Sequence, residues 1–241
     1  ELFMFSRSPD KVIDQFVQLG KKITYPNLKY EDFSSYLSFD VIMNFVGIGD
    51  PAQAKEIGSK IFEITEQYDN LALNYLKTHP LCKYIFMSSG AVYGGDFEDA
   101  VDKNTVAKID INNLEPTDWY AIAKLNAEAK HRAMKVHSIV DVRIFNYFSH
   151  TQDMSARFLI TDIIRAIQEG YILKTNPINI TRDFITPPDF HRLIISIIDS
   201  PKTNYFIDCY TKAPIDKFSL LSLCQKEFGL LFEIVEVAGV N

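Results

Sequence analysis

The sequence predicts an α/β protein with a doubly wound parallel sheet and a smaller C-terminal lobe. Two observations support this fold class. Short apolar runs alternate with segments of helical periodicity, which is typical of parallel strands joined by right-handed helical crossovers. The runs at 40–47, 84–89 and 140–145 are largely apolar, as expected of strands buried on both faces. The later pattern is mixed, so we expect a main domain over 1–148 and a substrate-facing lobe over 149–241.

The elements follow one another along the chain in a regular order. In the N-terminal part the pattern predicts a strand at Leu2–Phe5, a helix from Val12 to Gly20, a short strand at Ile23–Tyr25 and a strand at Asp40–Gly47. After these it predicts a helix from about Pro51 to Lys77, a strand at Tyr84–Ser89, a helix from about Asp118 to His137, a strand at Val140–Phe145, helices near Ser155–Gly170 and Pro188–Ile198, and a strand at Phe232–Gly239. Because ligands bind beyond the carboxyl ends of parallel strands, we expect the residues that follow these strands to share one functional rim.

Composition excludes several classes of function. The net charge is -6 and the pI is near 5.4, so the chain has no general attraction for nucleic acid. No apolar run approaches the ~18 residues of a membrane span and no signal peptide is evident, so we expect a cytoplasmic protein with neither a nucleic-acid nor a membrane partner. The three cysteines, Cys82, Cys209 and Cys224, lack metal-ligand spacing, so we expect core thiols and no metal site.

Tyr120 and Lys124 form a candidate pair for chemistry. They are four residues apart in a predicted helix, so both side chains lie on one face. A nearby ammonium is expected to lower the pKa of the phenol from its usual ~10. A serine hydroxyl aimed at the same substrate oxygen would let the tyrosine transfer a proton while a hydride moves at the carbon. The spacing alone is a weak signal, since Tyr25 and Lys29 share it in a predicted loop, and an ordinary surface pair is the alternative.

The segment Ser88-Ser89-Gly90-Ala91-Val92-Tyr93-Gly94 makes the signal specific. It resembles the Ser-Ser-x-x-Val-Tyr-Gly signature of the extended short-chain dehydrogenase/reductase family, whose members use a nicotinamide cofactor on nucleotide-linked sugars. Glu115-Pro116, Tyr120 and Lys124 follow where that family has its Pro-containing loop and its catalytic pair. The resemblance spans roughly residues 2–200 and implies a Rossmann-like fold.

The resemblance also implies roles for particular residues. It makes Ser89 the residue that orients the substrate oxygen, Tyr120 the acid/base, and Lys124 the residue that lowers the pKa of the tyrosine and holds the cofactor ribose. The implied cofactor contacts are Ser6, Arg7, Phe45, Val46, Gly47, Ser88, Tyr120, Lys124 and Phe145. The implied substrate contacts are Ser89, Gly90, Ala91, Asn146, His150 and Arg182. A guanidinium fork such as that of Arg182 suits a diphosphate, although a salt bridge with Asp183 or Asp189 is the alternative.

Two further positions bear on the cofactor and the reaction. Ser6-Arg7-Ser8 follows the strand whose end selects the cofactor, and no acid occurs before Asp10, which favours NADP over NAD. Gly90-Ala91 stands where sugar 4,6-dehydratases of the family have Asp-Glu, which disfavours a dehydratase. We therefore expect an epimerase or a 4-keto reductase of a nucleoside-diphosphate sugar. A reductase of another small carbonyl compound, and a non-catalytic cofactor-sensing or interaction protein, are the alternatives.

The Gly-rich phosphate loop of the family is absent from this sequence. The chain begins at Glu1 within what the resemblance makes the second strand, so the first strand and its loop are not among these residues. In this fold the first strand lies at the centre of the sheet, and without it the strands on either side have no shared partner. We therefore expect the two N-terminal strands not to hold their place unless residues outside this sequence, or another element, fill the position of the first strand. The resemblance also allows a homodimer, formed through the helices after Pro51 and Asp118.

Overall fold

The computed structural model describes residues 1–34, 37–47, 54, 56–94 and 100–236. Its strands are β1 (Met4–Ser6), β2 (Asn27–Lys29), β3 (Val41–Asn44), β4 (Lys83–Ser89), β5 (Ser138–Ile144), β6 (Leu173–Thr175), β7 (Thr181–Arg182), β8 (Asn204–Cys209), β9 (Ile215–Asp216) and β10 (Phe232–Ile234). Its helices are α1 (Pro9–Gln18), α2 (Lys60–Thr78), α3 (Trp119–Ala133), α4 (Leu159–Glu169), α5 (Pro187–Asp199) and α6 (Lys217–Phe228).

A four-stranded parallel sheet forms the centre of the fold, in the order β3-β4-β5-β8. Its register aligns Met43 with Ile85, Ile85 with Val140, and Val140 with Tyr205. β4 and β5 each have a strand on both sides, and this position explains why their sequences are largely apolar. The predicted α/β class with a parallel sheet is confirmed.

Helices cover both faces of this sheet. Tyr84 and Phe86 of β4 pack with residues of α2 and α3, whereas Ile85 and Met87 pack with residues of α5. Both α5 and β8 come from the predicted smaller lobe, 149–241, so part of that segment belongs structurally to the main sheet. The elements α4, α6, β6 and β10 pack around a separate core.

β1 and β2 form a separate parallel pair. Pro26 has no N–H to give to a ladder, but its carbonyl accepts a hydrogen bond from the Met4 N–H at 2.9 Å, and strand pairing continues after it. The strand that pairs with β1 is therefore β2, Asn27–Lys29, and the prediction of a strand at Ile23–Tyr25 was wrong. Within the described residues, the other edge of β1 and the other edge of β3 pair with no strand.

Aromatic contacts attach β1 to the body of the protein. The Phe5 ring lies 5.3 Å from the Phe33 ring and 6.0 Å from the Phe39 ring. Phe39 in turn lies 5.6 Å from Tyr75 of α2. Each such ring pair contributes ~1 kcal/mol beyond its buried area. These rings join the β1–β2 pair to α2, and whether residues outside this sequence or another element lie between β1 and β3 stays a prediction.

Some predicted element ends lie outside the described residues. The predicted start of the long helix at Pro51 is one of them, and the end of the predicted strand at Gly239 is another. The described part of the latter strand, Phe232–Ile234, pairs in parallel with β6, as expected of a strand in the smaller lobe. In the part of the chain that the structure describes, no helix is long and apolar enough to cross a bilayer, and no group of His, Cys, Asp or Glu side chains is arranged to hold a metal.

Candidate active site

Ser89 and Tyr120 meet at the carboxyl end of β4. Ser89 ends the strand and caps the following turn, where its Oγ accepts a hydrogen bond from the Ala91 N–H at 3.2 Å. Tyr120 lies in the first turn of α3, with its phenol near the Ser89 side chain. Burial raises the pKa of Tyr120, and the nearby Ser89 hydroxyl lowers it by less, so the phenol is protonated at neutral pH.

Lys124 lies one turn further along α3 and is almost completely buried. Its Nζ donates a hydrogen bond to the Met87 carbonyl at 2.7 Å and lies 4.4 Å from the centroid of the Phe86 ring. The same nitrogen is 6.0 Å from the centroid of the Tyr120 ring. The helix therefore brings the ammonium beneath the phenol, as its four-residue spacing predicted.

Burial dominates the electrostatics of this pair. It lowers the pKa of Lys124 from 10.5 to about 8, although the nearby carboxylates of Asp69, Asp141 and Glu128 oppose the change. The sequence predicted that Lys124 would lower the pKa of Tyr120. That effect stays a prediction, because burial raises the pKa of Tyr120 overall and the ammonium donates its described hydrogen bond to a backbone carbonyl.

Two glycines allow close approaches around the site. A Cβ at Gly47 would lie 3.0 Å from Lys124 Nζ, and a Cβ at Gly90 would lie 2.3 Å from the Phe145 ring. Gly47 is thus a neighbour of Lys124, and Gly90 is in contact with Phe145. The structure therefore brings these four predicted residues into contact in two pairs, at the carboxyl ends of β3, β4 and β5.

Asn146 connects the end of β5 to the segment that contains Arg182. Its Nδ2 donates to the Asp183 carbonyl at 3.2 Å, and its own carbonyl accepts from the Ile185 N–H at 3.0 Å. The Asp183 carboxylate accepts two bonds of 2.6 Å from Thr211. Within the described residues Arg182 makes no salt bridge with Asp183 or Asp189, the predicted alternative, and its exposed guanidinium bonds only the Thr181 carbonyl.

Two predicted residues, Ser88 and His150, make no described side-chain hydrogen bond with Ser89, Tyr120 or Lys124. Ser88 is 3% exposed and its hydroxyl donates to Glu128 Oε1 at 2.6 Å, so its side chain belongs to the core, and a cofactor contact of Ser88 stays a prediction. The cause is strand alternation, which places Ser88 on the same face as Tyr84 and Phe86. His150 is exposed.

The predicted cofactor residues on β1 and after β3 lie at strand ends. Ser6 ends β1, and its hydroxyl is buried without a hydrogen-bond partner in the described residues. Arg7 follows it and is exposed. After β3, Phe45 is 61% exposed, and the Val46 N–H donates to Asn44 Oδ1 at 2.8 Å.

A second polar network, which the sequence analysis missed, lies under Ser88. Arg143 Nε donates to Glu128 at 3.0 Å, and its Nη1 donates to the Tyr93 hydroxyl at 2.7 Å. Tyr93 donates to Asp208 at 2.9 Å, and burial followed by this bond raises the pKa of Tyr93 to about 12. Glu128 could have been found from the sequence, because it follows Lys124 by four residues on one helix face. Asp208 had no local signal.

The residues present fit a dinucleotide. Gly47 leaves open backbone beside Lys124 Nζ, and the Ser6 hydroxyl is a buried polar atom that lacks a partner in the described structure. An ammonium next to a glycine turn suits the hydroxyls of a ribose. The sequence contains no Gly-rich loop for the phosphates.

The fold and the Ser89–Tyr120–Lys124 arrangement define an enzyme of the extended short-chain dehydrogenase/reductase type. A profile of the NAD dependent epimerase/dehydratase family matches residues 20–206, which is most of the chain, so the protein belongs to that family. The predicted family resemblance is confirmed. No curated protein matches the chain in sequence.

Solved structures share the fold. UDP-glucose-4-epimerase from Stenotrophomonas maltophila, with bound NAD and formylated UDP-arabinopyranose, matches with a TM-score of 0.78 at 14% identity, over 99% of this chain and 80% of that chain. UDP-glucuronic acid 4-epimerase from Bacillus cereus, with UDP-glucuronic acid and NAD, has a TM-score of 0.76 at 18% identity, over 97% and 77%. RMD from Pseudomonas aeruginosa, complexed with NADPH, has a TM-score of 0.69 at 17% identity, over 98% and 86%. The Rossmann-like α/β fold is thereby confirmed.

Proposed function

We propose that the protein is an NAD(P)-dependent epimerase or 4-keto reductase of a nucleoside-diphosphate sugar. The observation that supports this proposal most strongly is the placement of Tyr120 near Ser89, with Lys124 buried one turn further along the same helix. Two hydroxyls at the carboxyl end of a central strand can both reach one substrate oxygen. A sugar hydroxyl or keto group is a substrate of that kind.

The chemistry is assigned as follows. A bound nicotinamide dinucleotide would supply hydride transfer at the sugar carbon. Tyr120 gives a proton to the sugar oxygen or takes one from it, and Ser89 orients that oxygen. The raised pKa of Tyr120 suits the proton donor in the direction of reduction. Lys124 would hold the ribose of the cofactor through its Nζ.

The packing around Gly90 supports an epimerase or a reductase over a dehydratase. A Cβ at position 90 would lie 2.3 Å from the Phe145 ring, so no acidic side chain fits there unless the ring moves. An additional acid next to Ser89 is therefore lacking at the position where dehydratases of the family have one. A dTDP-glucose 4,6-dehydratase from Bacillus anthracis also shares the fold, with a TM-score of 0.75 at 15% identity, so fold alone does not separate the reactions.

NADP is proposed as the cofactor, with NAD as the alternative. Arg7 lies exposed just after β1 and could pair with a ribose 2'-phosphate. Structures of similar fold are complexed with NAD or with NADPH, which supports a nicotinamide cofactor of either kind. A cytoplasmic location, a homodimer through α2 and α3, and a substrate-facing role for 149–241 stay predictions.

The experiment is a product analysis with the full chain. UDP- and dTDP-linked hexoses and 4-keto-hexoses are incubated with each oxidised and reduced dinucleotide, and the sugars are followed by proton NMR while nicotinamide absorbance is recorded. An epimerase yields the diastereomer without net change in absorbance, whereas a reductase oxidises one NADPH per product. Turnover of other small carbonyl compounds alone, or no turnover at all, would contradict the proposal.

A further inference from the structure

A buried cluster of charged side chains lies behind the site, between α2, α3 and β5. His131 of α3 contacts Asp69 of α2 through Nε2 at 2.8 Å and Asp141 of β5 through Nδ1 at 2.6 Å. All three side chains are inaccessible to solvent. Lys130 and Arg132 pair with the two carboxylates at 2.7 and 2.6 Å. The cluster thus ties α3 to an adjacent helix and to the central sheet.

A line of hydrogen bonds runs from this cluster to the turn after β3. The Tyr84 hydroxyl donates to Asp69 Oδ1 at 3.0 Å and accepts from Asn44 Nδ2 at 2.9 Å. Asn44 Oδ1 accepts from the Val46 N–H at 2.8 Å. The two ends of the Asn44 amide therefore bond to Tyr84 and to the turn. Through them the core holds the backbone that follows β3.

The line ends beside Lys124. The turn places Gly47 so close to Lys124 that a Cβ would lie 3.0 Å from its Nζ. His131 lies two helical turns after Lys124 on the same side of α3. The cluster, Tyr84, Asn44, the turn and α3 therefore form a closed ring of short contacts. Because hydrogen bonds are directional, such a ring restricts the separation of Gly47 and Lys124 more than apolar packing does.

We propose that Tyr84 is a positioning residue, which acts through Asn44 to hold the Val46–Gly47 turn against Lys124. The inference rests on the proposed function, in which this turn and Lys124 bind the dinucleotide. The side chain of Tyr84 is completely buried, and its hydroxyl bonds to Asp69 and Asn44 among the described residues. Its link to the Val46–Gly47 turn therefore runs through Asn44.

The test compares two variants that each remove one buried hydroxyl. Tyr84→Phe breaks the line. Tyr75→Phe is the matched control, since the Tyr75 hydroxyl also has two partners, the Phe39 N–H at 2.7 Å and the Leu37 carbonyl at 2.9 Å. Amide hydrogen exchange at Val46 is measured by NMR in the protein without dinucleotide. We expect about tenfold faster exchange in Tyr84→Phe and no change in Tyr75→Phe, because loss of a buried hydrogen bond opens its immediate surroundings.

A binding measurement completes the test. Titration with NADPH should show affinity reduced about tenfold in Tyr84→Phe, with Tyr75→Phe like the wild type. Unchanged Val46 exchange in a folded Tyr84→Phe protein would overturn the positioning role, whatever its affinity. If that variant does not fold, Asn44→Ala frees the same turn, and unchanged NADPH affinity there would overturn it as well. Failure of the wild type to bind any dinucleotide would instead count against the proposed function, while Val46 exchange would still decide whether Tyr84 holds the turn.

Discussion

A rise in pH from 6.5 to 8 should destabilise the protein through His131. The imidazole is inaccessible to solvent, and burial alone would lower its pKa. Its bonds with Asp141 and Asp69 outweigh that cost and raise the pKa of His131 from 6.5 to about 9. A group whose pKa is raised on folding stabilises the protein fully below its unfolded pKa. That stabilisation is lost as the pH rises from 6.5 through about 9.

The magnitude follows from the size of the shift. A tenfold change in proton affinity corresponds to ~1.4 kcal/mol, so the rise from 6.5 to about 9 corresponds to about 3 kcal/mol. By proton linkage, about 1.5 kcal/mol of the free energy of unfolding is lost between pH 6.5 and pH 8. Lys124 acts in the opposite direction. Its pKa is lowered to about 8 on folding, so the folded protein loses this proton at a lower pH than the unfolded chain and gains stability as the pH rises. Below pH 8 it offsets only about 0.4 kcal/mol.

The assay is urea unfolding at several pH values between 6.5 and 8. The wild type is compared with His131→Gln and with His191→Gln, an exposed histidine that serves as the control. The wild type and His191→Gln should lose stability in parallel, whereas His131→Gln should lose about 1.5 kcal/mol less. If His131→Gln does not fold, NMR of the wild-type imidazole replaces it. Equal slopes in all three proteins, or a neutral His131 at pH 7, would refute the reasoning.

Three further predictions concern single substitutions. Lys83→Met should cost about 2 to 3 kcal/mol in urea unfolding, because the buried Nζ of Lys83 donates to three carbonyls at and just after the end of α5, at 2.5 to 2.9 Å. Gly94→Ala should lower the free energy of unfolding more than Gly229→Ala does. Position 94 combines a φ of 103° with a Cβ that would lie 2.4 Å from the Lys108 carbonyl oxygen, whereas position 229 has a φ of 72° and open space. Equal melting temperatures of the two variants would contradict this prediction. Ser89→Ala should lower kcat about 10²-fold in the sugar assay and cost about 1 kcal/mol in unfolding free energy through the lost cap, and a variant with full activity would exclude the assigned role of Ser89.

Local patterns in the sequence predicted the central elements well. Most residues of β4 and β5 are apolar because both faces of these strands are buried, and that burial is visible in the sequence. The position of Pro26 shows the limit of this approach. Pattern alone placed a strand before it, whereas the ladder forms after it, where the residues retain their N–H groups.

The site was predictable where it depends on short spacing. Tyr120 and Lys124 are neighbours because one helical turn separates them, whereas Ser89 was found through the family signature at 88–94. The pKa of Tyr120 was not predictable, since it depends on burial by distant segments. Contacts such as Tyr93 with Asp208 join residues far apart in the chain and leave no local signal.

The central claim is that Tyr120 transfers the proton at the sugar oxygen. The most direct test compares kcat of the wild type with that of Tyr120→Phe on the nucleotide sugar found to turn over, and measures the affinity for that sugar by calorimetry. Tyr171→Phe, which removes an exposed hydroxyl, is the control. We predict that Tyr120→Phe lowers kcat by ~10² to 10⁴-fold at nearly unchanged affinity, while the control retains full activity. A Tyr120→Phe protein with the kcat of the wild type would contradict the account.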